Sequence, residues 1–171
     1  SGLLIVVIGL LLYKHIVMAL SAPFMSPVSE KIEHYLTGET HQHRKTSFQE
    51  QLVRGIRINV RNLLRELFFT IPILLVSFIP VVGFFSTVLL FTMQAYYAGF
   101  GNMDYTLERH FKYKESINFV KKNKGTAIGN GIIFMLFLLV PVIGVILVLP
   151  LSVTAATTET IKNIQLKKAI E

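Results

Sequence analysis

The residues best placed to do chemistry are four arginines. Arg54, Arg57, Arg61 and Arg65 are spaced by 3, 4 and 4 residues, which sets all four guanidiniums on one face of a helix. A guanidinium is a planar fork of donors suited to oxyanions, and rings of Arg or Lys line anion pores. Two readings are open. The stripe is an anion-attracting vestibule at the mouth of a pore, or it holds anionic lipid headgroups, at about 1 kcal/mol per basic residue near the surface. Glu66 follows Arg65 and is expected to pair with a basic residue. Asp104 and Arg109 are expected to form ion pairs near the same mouth, or equally to clasp two parts of the chain together.

Other chemistries find little support. The pair His41 and His43 lies in a polar loop with no third ligand in view, and a zinc site needs three or four. No metal or other cofactor is expected. Residues 125–131 (GTAIGNG) lack the Lys of a phosphate loop and lead into an apolar run, so close helix packing explains their glycines better. With 0 Cys there are no disulfides or thiolate sites. The net charge is +7, but the aromatics sit in the apolar runs rather than among the basic residues, which speaks against nucleic acid. No constellation of nucleophile, acid and base argues for an enzyme.

The elements that must position the arginines read as an all-α integral membrane protein. The composition is 52% hydrophobic and 16% charged, against about a quarter charged in soluble domains. Residues 2–20 are apolar apart from Lys14 and His15 and read as a transmembrane helix, frayed at that pair and broken at Ser21-Ala22-Pro23. A short amphipathic helix is expected from Pro27 to Leu36, capped by Ser26 and ended at Gly38. Ser47 with Glu50 has the capping-box spacing and opens the arginine helix.

Residues 67–101 and 126–158 contain no charge at all. Each carries the same interruption, IPVVG with Pro80 and Gly83, and VPVIG with Pro141 and Gly144. These predict two helical hairpins, residues 67–100 and 126–160, each with a Pro-x-x-Gly turn, the first ending at Gly99, Gly101 and Asn102. The descending arms are about 20 Å long at 1.5 Å per residue, short of a hydrocarbon core of about 30 Å. The hairpins dip partway into the bilayer, or polar-flanked ends extend them to span it. The other reading is two long helices merely kinked by Pro and Gly. The segments 14–65 and 109–124 and the tail are all basic. Hairpins return the chain to the side it left, so all three can face the cytoplasm, as the positive-inside rule asks.

Three stretches carry a family resemblance: APFMSPVSEKIE at 22–33, GNMDYTLERH at 101–110 and LLVPVIGVILVLPLSVTAATT at 138–158. In this order and spacing they resemble the bacterial CysZ sulfate permeases and the wider etoposide-induced group. The resemblance implies a single membrane domain over residues 1–171 in the bacterial inner membrane, multi-pass and homo-oligomeric. It implies two long transmembrane helices with two partly penetrating hairpins, and uptake of sulfate for sulfur assimilation and cysteine biosynthesis, with sulfite as a related oxyanion partner. In that family a further transmembrane helix comes first, preceded by a short basic segment implicated in sulfate binding, and neither lies in these 171 residues. The opening therefore reads as a cut inside a longer protein. The rival reading is a membrane-organising or lipid-binding helical protein that transports nothing.

Overall fold

The computed structural model describes residues 2–38, 47–140 and 143–170, and all six elements among them are helices. They are α1 (Gly2–Thr37), α2 (Phe48–Val76), α3 (Pro80–His110), α4 (Tyr113–Lys122), α5 (Lys124–Leu138) and α6 (Ile143–Ile170). Pro141 and Val142 lie outside the described residues.

α1 is one helix of 36 residues, not a membrane helix followed by a separate amphipathic one. Pro23 and Pro27 both lie inside it. An interior Pro costs about 3 kcal/mol. What outweighs it is one continuous buried face, Met18, Ala22, Ser26, Ser29 and Glu33, spaced by 3 or 4 residues. Gly38 ends the helix in the left-handed region at φ 69°, its N–H donating to the His34 carbonyl at 2.9 Å, as a C-terminal glycine does.

The capping box opens α2. Ser47 Oγ accepts from Glu50 N–H at 3.3 Å, and Glu50 Oε2 accepts from Ser47 N–H at 3.0 Å. α2 and α3 pack against each other across a tight turn at residues 77–79. Pro80 is therefore the first residue of α3, where its missing N–H costs nothing, and the turn precedes the Pro-x-x-Gly motif rather than coinciding with it. Gly83 lies in the first turn of α3, and a Cβ there would come 2.6 Å from the Ser77 carbonyl oxygen. Gly144 likewise falls in the first turn of α6.

α3 does not end at Gly99, Gly101 and Asn102 but runs on to His110. Those glycines serve packing. A Cβ on Gly99 would overlap the Ala127 carbonyl oxygen, and one on Gly131 would overlap that of Ala95. The α3 and α5 backbones therefore touch at two reciprocal points. Phe100, Met103, Leu107, Val120 and Ala156 build the largest core cluster beside this crossing. Among the described residues no helix is long and apolar enough to cross a membrane; much of the expected transmembrane helix at residues 2–20 falls outside the residues whose side chains are described. At 15 residues α5 is about 22 Å long.

Candidate functional site

The arginine stripe divides. Arg54 is consumed by structure: Nε and Nη2 fork onto Asp104 Oδ2 and Oδ1 at 3.0 and 2.9 Å. Nη2 also donates to Ser116 Oγ at 2.7 Å and Nη1 to the Phe111 carbonyl at 2.9 Å. This one side chain ties α2, α3 and the start of α4. Burial alone would weaken its charge, but the Asp104 carboxylate more than reverses that and raises the guanidinium above its ordinary value.

Arg57, Arg61 and Arg65 have no carboxylate partner among the described residues. Arg57 lies 4.2 Å over the Tyr113 ring and Arg61 5.3 Å over the Phe100 ring, contacts worth about 0.5–1 kcal/mol at exposed sites. Arg61 Nη1 also donates to Asn62 Oδ1 at 2.8 Å. Burial, and then the neighbouring Arg65 charge, push the Arg61 guanidinium below its ordinary value.

Glu66 is fully buried, and its partners come from α1. Lys14 Nζ lies 2.6 Å from Oε1, and His15 Nε2 lies 2.8 Å from Oε2. The second ring nitrogen of His15 faces Asn59 Oδ1 at 3.2 Å. Asn59 is oriented by its own amide, which donates to the Gly55 carbonyl at 2.9 Å. In the sequence Lys14 and His15 stand out only as a point where a helix could fray. The missed signal is energetic: adjacent ionisable residues inside an apolar run are costly unless another helix supplies a counter-charge, and Glu66 is that counter-charge.

Asp104 and Arg109 do not pair with each other. Arg109 crosses to α1, where Nη2 and Nε meet Glu33 Oε2 at 2.7 and 3.1 Å, while His110 Nε2 meets Oε1 at 2.6 Å. Arg109 also donates to the Ser26 and Tyr105 carbonyls and to Ser29 Oγ. Burial pushes the Glu33 carboxyl up, but the His110 and Arg109 hydrogen bonds outweigh it and hold it below its ordinary value. Its neighbour Glu108, hydrogen-bonded by Ser26, is pushed up to about 7, first by burial and then by the Asp104 charge.

The model described as Sulfate transporter CysZ/Etoposide-induced protein 2.4 matches residues 1–149. The chain belongs to this family. No curated protein matches it.

The stretches that carry the CysZ resemblance meet in space. Thr106 donates to Thr157 at 2.9 Å, Thr157 donates to Ser29 at 3.1 Å, and Ser29 and Thr106 close the ring at 2.8 Å. Each hydroxyl comes from a different stretch, on α1, α3 and α6. Ser26–Glu108 and Glu33–Arg109 extend the same seam. The description of the family is a transporter's, not an enzyme's, and among the described residues no group of acids and histidines could hold a metal ion. Basic groups of the CysZ-family chain thus fall in two places, guanidiniums towards the surface on α2, and the Lys14 and His15 side chains inside, held by Glu66.

Proposed function

We propose that this chain works in a bacterial inner membrane as part of a passive pathway for sulfate or a related oxyanion such as sulfite, supplying sulfur assimilation and cysteine biosynthesis. The observation that carries the reading is the row Arg57, Arg61 and Arg65, without a carboxylate partner among the described residues, in a member of a sulfate transporter family. Uncompensated guanidiniums raise the local concentration of anions. Immediately beyond them Phe68, Leu75, Phe78, Phe84 and Phe85 are exposed around the α2–α3 turn. A patch of that size asks for an apolar medium, which supports helix pairs that dip into lipid with the basic segments left on the cytoplasmic side. Assembly into a homo-oligomer would repeat the arginine row around an axis.

Radiolabelled sulfate uptake into proteoliposomes tests this. Uptake above empty liposomes, competed by sulfite but not chloride and cut at least fivefold by Arg57→Gln with Arg61→Gln, is the expected result. The exposed apolar turn also fits a second reading, a membrane-organising protein whose arginines hold anionic lipid. Folded protein with no selective flux, and with vesicle binding that rises with anionic lipid content, would favour that reading.

A further inference from the structure

The buried face of α2 carries Asn62, Glu66 and Thr70 at intervals of four residues, one helical turn apart. The middle residue is doubly held. The outer two are not: Asn62 Nδ2 and Thr70 Oγ1 are buried with no hydrogen-bond partner. Such atoms are rare and each costs about 1–3 kcal/mol. Two of them flanking one carboxylate on one helix face call for an explanation.

Two donors from α1 also converge on that carboxylate. Asn59 presents its oxygen to His15 Nδ1, and Glu66 presents an oxygen to Nε2. Both ring nitrogens face acceptors, an arrangement satisfied by the imidazolium. With Lys14, two nitrogen donors then meet one carboxylate in a buried site. Lys14 and His15 are placed to grip two oxygens of one anion. Any two oxygens of a tetrahedral oxyanion are spaced nearly as those of a carboxylate are, and the idle Asn62 amide supplies a donor for a third.

We infer that Lys14, His15 and Asn62 form an interior oxyanion-binding station, and that Glu66 is its tethered occupant, holding the place of a free sulfate-like ion. On arrival of that ion the Glu66 carboxylate gives up Lys14 and His15, and the unpartnered Thr70 hydroxyl, one turn further along α2, receives it. Entry is marked as well. Arg61, half-buried at the surface, already donates to Asn62, so the outer arginines and the inner station share one side-chain contact. The station rests on the oxyanion reading above and gives it an inner site.

The test is thermal unfolding of the full chain in detergent, titrated with sodium sulfate against sodium chloride at matched ionic strength. Sulfate is expected to raise Tm where chloride does not. Glu66→Gln, which removes the competing charge, should reach half effect at least tenfold lower in sulfate. Asn62→Leu should need at least tenfold more sulfate while keeping the sulfate-free Tm. An unchanged or weakened response in Glu66→Gln, or an unchanged one in Asn62→Leu, overturns the station. Should Glu66→Gln fail to fold, Asn62→Leu alone decides. Proteoliposome flux separates the two proposals. Sulfate responses that shift as expected without flux sink only the permeation reading, and selective flux with an unshifted Asn62→Leu response sinks only the station.

Discussion

The chain contains two versions of one arrangement. Glu33 is held by the consecutive pair Arg109 and His110, and Glu66 by the consecutive pair Lys14 and His15. In each, one carboxylate oxygen takes the stronger cation and the other takes imidazole Nε2. Their surroundings differ. Around Glu33, Arg109 reaches two carbonyls and a serine as well as the carboxylate. Around Glu66, two polar atoms on the same helix face are left idle, and the cation is a Lys, a compact point charge without the Arg fork. A satisfied network fixes one geometry; an unsatisfied one retains capacity for another partner. The first triad therefore reads as a clasp, the second as a site.

The largest effect should come from breaking the clasp. Arg109→Leu strands Glu33 with only His110 and should cost about 3–5 kcal/mol in chemical denaturation. Thr70→Val beside Glu66 removes an idle hydroxyl and should cost less than about 0.5 kcal/mol or stabilise. Equal costs would erase the distinction between the two triads.

The pH profile comes next. Glu108 in the folded state sits at about 7, above its ordinary 4.5, so folding favours its protonated form. That stability is complete below 4.5 and is lost as pH rises to about 7, on the order of 3 kcal/mol. Glu33 is lowered, so its contribution is present above its ordinary 4.5 and fades in acid. Stability should peak near pH 5, and Glu108→Gln should flatten only the neutral side. An unaltered neutral limb in that variant would place the titrating group elsewhere.

Gly99→Ala should cost about 1–3 kcal/mol by overpacking, measured as a fall in Tm. Ala127→Gly should not rescue it, because the obstacle is the Ala127 carbonyl oxygen and not its methyl group. The smallest effect is Ser47→Ala, about 1 kcal/mol through the lost cap, with the sulfate response and both triads unchanged.

Local features were legible in the sequence: the Ser47 capping box and the helix that carries the four arginines. What escaped were decisions made between helices. Pro23 reads as a break and Pro27 as the start of a new helix because local propensity disfavours both inside one, and only the long face buried on α1 outweighs that. Gly99 and Gly101 read as stops because a glycine's role in close approach depends on a neighbour that spacing does not reveal. Arg54 has the same phase as Arg57, Arg61 and Arg65, yet only Arg54 faces Asp104, so periodicity placed four equivalent charges where packing made two kinds. Glu66, Asp104 and Arg109 stood out as ionisable groups beside apolar runs, but their partners lie at least 50 residues away in sequence.

The crossing of α3 and α5 carries one more consequence. Ala95, Gly99, Ala127 and Gly131 have no rotamers to lose when the helices come together, so the joint forms with almost no side-chain entropy opposing it. Close backbone contact of this kind is held by dispersion, which works in lipid as well as in water. The two helix pairs are thus joined by an attachment whose strength does not depend on which solvent surrounds it.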